Sequence, residues 1–319
     1  DHGFLLTEQF ENLYREVTEA FAASDTRPAH LAGSSYPDDP GALRTYLNGL
    51  FDGMDAPPVA PAERRPVRCL IAPHIDLDRG GAAYAHAYHR LAQGPAPRTV
   101  LIFGVAHAGP PAPFVMTRKH FATPLGVVTT NLDAVERLAA ACTWDPFEDE
   151  IVHRTEHSIE FQALMLAHLF GGQTRIVPIL CSGPEEPDAS SPSDAVAPFL
   201  RVCRDMAAES DGALAVIAGA DLAHVGLRFG DEFDIDDEVI ARIRARDTED
   251  LGHVVTPDPA AWYRSVMSDG NQRRVCGLHS IYAALESVEG LVERGDLLHY
   301  AYAADPAGGI VSFAAAALS

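Results

Sequence analysis

The apolar residues change their spacing several times along this chain, and each change marks an element. Between Leu6 and Ala23 they recur at Phe10, Leu13, Tyr14, Val17 and Phe21. That interval of three to four residues predicts an amphipathic helix. A loop containing Gly33-Ser34-Ser35-Tyr36-Pro37 follows. Asp39-Pro40 then opens a second helix, with Leu43, Tyr46, Leu47 and Leu50 on one face. The proline-rich stretch from Ala56 to Pro66 reads as a connector. Beyond it the helical spacing gives way to short continuous apolar runs: Val67–Ala72, Thr99–Val105, Thr174–Leu180 and Ala213–Ala218. Runs of this length, rich in Val, Ile and Leu, predict strands covered on both faces. Helical stretches over Gly80–Ala92, Leu132–Ala141, Ile159–Leu169 and Asp236–Arg246 interleave with them, and Val311–Ala317 reads as a last strand. The alternation predicts an α/β fold, a single-domain sheet of mostly buried strands flanked by helices. The prolines and serines from Gly183 to Ala195 read as a surface loop rather than a domain boundary, because no repeat or shift in composition accompanies them.

Composition narrows the function classes. Hydrophobic residues make up 47% and charged residues 22%, ordinary values for a globular protein. The 24 basic and 45 acidic residues leave a formal charge of −21. Such a surface repels phosphate backbones and anionic lipid, so neither nucleic acid nor a membrane is an expected partner. The five cysteines, Cys69, Cys142, Cys181, Cys203 and Cys276, are widely spaced and form no CxxC pair. They fit a reducing compartment better than a disulfide framework. No apolar run approaches the roughly 18 residues of a membrane span, and no secretory leader is visible. A cytoplasmic location is the expectation.

Side chains with coordination chemistry recur just after the buried runs. Cys69-Leu-Ile-Ala-Pro-His74 ends one strand with a histidine, and Leu101-Ile-Phe-Gly-Val-Ala-His107 ends the next. Ala215-Val-Ile-Ala-Gly-Ala-Asp221-Leu-Ala-His224 ends a third with Asp and His. Ligands of open α/β sheets bind beyond the carboxyl ends of strands, so three such placements signal a site where a lone histidine would not. Cys276 reads equally well as a core cysteine, although guanidinium charge from Arg273 and Arg274 would favour its thiolate. Glu156-His157-Ser158-Ile159-Glu160 precedes an apolar helical run. It reads either as a helix cap or as a pair, Glu156 and His157, that faces the pocket. The P-loop, GxSxG and HExxH patterns are absent. His86, His89, His120, His153, His168 and His253 have no comparable setting and read as surface or core residues.

These segments together resemble the Memo family, which includes the prokaryotic proteins called AmmeMemoRadiSam system protein B. Arg27-Pro-Ala-His-Leu-Ala-Gly-Ser-Ser-Tyr36 resembles the family's opening motif, and Ala72-Pro-His74 and Gly104-Val-Ala-His107 resemble its two histidine motifs. Glu156-His-Ser-Ile-Glu160 is the family's own sequence, followed by Val177-Pro-Ile-Leu180. Asp221-Leu-Ala-His224-Val-Gly226, Cys276-Gly-Leu-His279 and Val311-Ser-Phe-Ala-Ala complete the order. The resemblance covers residues 27–319 and leaves residues 1–26 as an N-terminal helical extension. It implies a fold like that of class III extradiol ring-cleavage dioxygenases, with His74, His107 and Cys276 as metal ligands. It further implies that Asp221 and His224 line the same pocket, with His224 at the acid/base position; on that reading His224 moves a proton with Asp221 orienting it, and Glu156, His157 and His279 are expected around the centre. The implied metal is iron, with copper or zinc as alternatives, and the implied partner is a small phenolic substrate or a peptide. Three positions depart from the family pattern: Ile75-Asp76-Leu77 follows His74, Ser35 replaces a common aromatic, and Leu278 replaces a common Arg. Asp76 would add a carboxylate near the metal or substrate. A zinc-dependent hydrolase and a non-catalytic metal- or peptide-binding protein are the alternatives to an oxidoreductase.

Overall fold

The four continuous apolar runs become the centre of a mixed sheet. In the computed structural model, which describes residues 8–54, 65–182 and 194–319, the chain opens with helix α1 (Glu8–Ala22), the two-residue strand β1 (Thr26–Arg27) and helix α2 (Pro40–Asp52). Strand β2 (Cys69–Ala72), helix α3 (Leu77–Ala92) and strand β3 (Thr99–Val105) follow. Three short strands, β4 (Phe114–Met116), β5 (His120–Thr123) and β6 (Gly126–Val128), precede helices α4 (Leu132–Ala139) and α5 (Ser158–Phe170). Then come β7 (Arg175–Cys181), α6 (Ala197–Glu209), β8 (Leu214–Gly219) and β9 (His224–Gly226). Helices α7 (Asp237–Val255), α8 (Pro259–Met267) and α9 (Leu278–Glu286) lead to the long hairpin β10 (Gly295–Asp305) and β11 (Gly309–Leu318). The expected connector at Ala56–Pro66 and loop at Gly183–Ala195 lie largely outside the described residues. Asp194–Val196 forms a short 3-10 turn.

The main sheet runs β10-β11-β2-β8-β3-β7-β4, with β9 paired to β11. β2, β8, β3 and β7 are mutually parallel, while β11 and β4 run antiparallel to their neighbours. β1, β5 and β6 form a small separate sheet. Alternate residues of the central strands feed two cores. Cys69, Ile71, Leu101, Phe103, Val216 and Ala218 face one side, which is closed by residues of α4, α6, α8 and α9 such as Phe199 and Trp262. Leu70, Ala72, Val100, Ile102, Ala215 and Ile217 face the other, closed by α2, α3 and α5. Burial on both faces is why these strands read as unbroken apolar runs. The expected α/β class is therefore what the chain forms. The helix expected over Asp236–Arg246 extends two further turns to Val255. Because β2, β3 and β8 are parallel, their carboxyl ends open on one edge, and His74, His107 and Asp221 leave the sheet side by side.

Candidate metal centre

His74 follows β2 by two residues and is 2% exposed. Its backbone N–H donates to Asp221 Oδ1 at 3.0 Å, and its Nδ1 lies 2.8 Å from the Gly219 carbonyl. A carbonyl can only accept, so Nδ1 carries the proton and Nε2 keeps its lone pair. Burial, reinforced by the neighbouring His157 and His107, lowers the ring's pKa well below the ordinary histidine value. The imidazole is neutral, the form that binds metals.

Glu156 does the same for two further rings. It stands just ahead of α5, and its carboxylate accepts the backbone N–H groups of His107, His157 and Ser158 at 3.1, 2.8 and 3.1 Å. Nδ1 of His107 is 3.0 Å away and Nδ1 of His157 is 3.2 Å away. Burial alone would push this carboxyl up. The bonds to His107 and His157 outweigh burial and hold it well below the usual carboxylate range. The same contact, acting against burial, raises His107. His107 and His157 are the open members of the group, their side chains 40% and 36% exposed.

The three imidazoles converge. One ring nitrogen from each of His74, His107 and His157 lies within 4.8 Å of the other two. His107 and His157 stack at 4.8 Å and 14°, and His74 meets both nearly edge-on at 5.0 and 5.2 Å. Cys276 Sγ stands 3.4 Å from His74 Nε2. Nitrogen and sulfur bound to one tetrahedral metal at about 2.1 and 2.3 Å would lie about 3.6 Å apart. A donor set of imidazoles and a thiol, with ring orientation fixed from behind, therefore fits a transition metal. His157 belongs to the compact imidazole set, where the sequence placed it in a supporting role. Cys276 sits against His74 and lies outside that set.

The environment of Cys276 corrects one expectation. Burial, then the charge of Asp221, pushes its thiol well above the usual range. Arg273 does not offset this, because it is committed to Asp247 and Asp250 at 2.6 and 2.5 Å. Arg274 is committed to Asp231 at 2.8 Å. A thiolate here would need a bound cation rather than the arginines.

Asp221 and His224 leave the end of β8. Asp221 is 2% exposed, and burial raises its carboxyl. Its side chain serves His74, through the backbone bond and a 3.7 Å approach to Nε2. The group orienting His224 is instead the Leu222 carbonyl, 3.0 Å from Nδ1, which corrects the role expected of Asp221. Burial lowers His224, and the charge of Asp221 and the backbone carbonyls of Leu222 and Arg274 act against it. Two further expectations change. Asp76 is no free carboxylate: it caps α3 through the N–H of Arg79 at 3.0 Å and pairs with that guanidinium at 2.6 Å. His279 does not line the cleft described next. It packs 6.0 Å from the Tyr263 ring, and burial lowers it to about 4.

His74, His107, His157, Asp221 and His224 share one open cleft of about 350 Å³, walled by Phe161 and Phe229 and also lined by Ser35, Asp76, Arg79 and Arg228. Sequence reasoning gave Phe161 and Arg79 no role. A sequence model of the family described as "Memo-like protein" matches residues 27–317. The chain belongs to this family.

Individual relatives agree. A MEMO1 family protein of Aquifex aeolicus is 27% identical over 98% of this chain and 79% of its own length. One of Thermus thermophilus is 31% identical over 72% of this chain and 64% of its own length. Another, of Methanosarcina acetivorans, is 27% identical over 91% and 98%. On this Memo-family fold the recognisable segments divide into two groups. His74, His107 and His157 are the convergent imidazoles. Arg27, Tyr36 and Glu160 form a brace. Arg27 is fully buried, pairs with Glu160, and donates to the carbonyls of His153 and Glu156 at 2.9 and 2.8 Å. Glu160 also accepts the Tyr36 hydroxyl and the N–H of Leu31. The brace locks the loop bearing Leu31 and Ser35 against the segment bearing Glu156 and His157.

Proposed function

We propose that this chain binds a redox-active transition metal, iron before copper, and oxidises a small phenolic substrate in the cleft. His74, His107 and Cys276 hold the metal, with His157 as a further donor in reach. The observation that supports this is the convergence of three imidazoles on an open cleft, each with its Nδ1 against a protein acceptor. Imidazole and thiolate together suit iron, copper and zinc and disfavour magnesium and calcium.

A bound iron or copper supplies Lewis acidity and electron transfer toward dioxygen. The remaining work falls to the chain. Phe161 and Phe229 provide apolar walls for an aromatic ring. His224, held through Nδ1 by the Leu222 carbonyl, takes the phenolic proton and later returns it. Asp221 fixes His74 in place.

Oxygen uptake by the iron-loaded protein with catechols tests the reading. The wild type consumes oxygen, and His224→Ala lowers the rate by about 10²–10⁴-fold at unchanged metal content. Full activity in that variant would remove the proton role. Stoichiometric iron or copper with no uptake would leave a non-catalytic metal or peptide site. Zinc alone, bound by three protein ligands beside an open position, would favour hydrolysis.

A further inference from the structure

Arg228 has no acidic partner among the described residues. Its side chain is exposed and makes no ion pair or hydrogen bond among the described residues, although 45 acidic residues outnumber the basic ones almost two to one. The other guanidinium on the cleft, Arg79, is already neutralised by Asp76. The carboxylate of Asp305, which also lines the cleft, accepts the N–H of Ala307 at 2.8 Å within the β10–β11 turn.

The segment carrying Arg228 is held firmly. Gly226 has φ of +109°, and a Cβ there would stand 2.7 Å from both Gly308 O and Gly309 Cα. The Gly226 N–H donates to Asp231 Oδ2 at 2.8 Å, Asp231 is clamped by Arg274, and the Arg228 N–H donates to Gly308 O at 3.1 Å. The neighbouring Phe229 ring stands perpendicular to His224 at 5.2 Å. The short stretch from His224 to Phe229 therefore presents an imidazole, an aromatic wall and a guanidinium unpaired among the described residues to the same cavity.

We propose that the ligand of this cleft is a small aromatic anion, with its carboxylate or phosphate on Arg228, its ring beside Phe229 and its far end toward the imidazoles. This rests on the cleft being a ligand site, as proposed above, but not on the metal being redox-active. A planar guanidinium binds either anion through paired N–H donors, and such charge-assisted bonds are the strong ones.

Titration calorimetry separates the possibilities with benzoate, phenyl phosphate, 3,4-dihydroxybenzoate and catechol as probes, with metal content measured on each sample. The wild type should bind 3,4-dihydroxybenzoate at least about tenfold more tightly than catechol. Arg228→Gln should erase that difference while leaving catechol affinity and metal content unchanged, and Arg228→Lys should restore part of it. Whether benzoate or phenyl phosphate binds more tightly identifies the anion. Benzoate needs no metal, so Arg228-dependent benzoate binding to a metal-free protein would sustain this inference while the metal reading failed. A wild type that binds neither the carboxylic acids nor phenyl phosphate more tightly than catechol, or an Arg228→Gln variant that binds these anions as the wild type does, would overturn it.

Discussion

Glu156 sets the orientation of two imidazoles and three backbone N–H groups with one carboxylate. Glu156→Gln keeps the shape but loses an acceptor. It should weaken metal affinity by about 10–100-fold with little change in folding, read by chelator competition and thermal melting. Cys276→Ser should weaken binding more than His157→Ala; the reverse order would make His157 the third ligand. His153 is a separate case. It is buried, with Nε2 3.1 Å from the Val115 carbonyl and Nδ1 unpartnered, and burial lowers it from 6.5 to about 3. Between those values the unfolded chain binds a proton the folded chain refuses, so stability falls as pH drops from about 6.5 toward about 3. His153→Gln should flatten that slope by about 1.4 kcal/mol per pH unit, measured by urea unfolding between pH 6.5 and 4.5. The strand-end His and Asp were legible in the sequence because they break an apolar run. His157 was legible only as a motif member, because nothing in its spacing says that a carboxylate one residue away will turn it toward two distant histidines.

At the level of elements, the start of α5 determines whether the site forms. It packs so closely on β3 that a Cβ on Gly104 would stand 2.5 Å from Ser158 Oγ and 2.7 Å from Ile159 Cγ1. Ser158 Oγ meanwhile bridges the N–H and carbonyl of Val105 at 3.0 and 3.1 Å. Gly104→Ala should push α5 outward, cost about 1–3 kcal/mol in chemical denaturation and reduce metal occupancy. Breaking the Arg27–Glu160 pair from one side should cost more. Arg27→Met leaves a buried carboxylate unpaired, and a loss of about 3–5 kcal/mol is expected. The strands at the centre of the sheet were legible because burial on both faces leaves an unmistakable apolar run. β10 was not, because this edge strand is only partly buried and mixes Asp296, His299 and tyrosines with its apolar residues. α9 was missed for the opposite reason, as seven of its nine residues are buried and no polar stripe remains to show a helical period.

Across the whole molecule, a formal charge of −21 acts against the compact state through self-repulsion. Moderate sodium chloride, by screening it, should raise the melting temperature of the protein, and a fall would show that its surface ion pairs outweigh the net charge. No helix among the described residues is long and apolar enough to cross a membrane. The sheet order brings β2, β8 and β3 together as neighbours although they are distant in sequence, and this adjacency turns three separate strand ends into one centre. That adjacency was legible only as a general rule about strand ends, since strand order is set by long-range pairing. The most direct measurement is elemental analysis of protein purified without oxygen, wild type beside His74→Ala. Near-stoichiometric iron or copper in the wild type, lost from a variant that still folds, is the predicted result. A metal-free wild type, or a His74→Ala variant that keeps its metal, would contradict it.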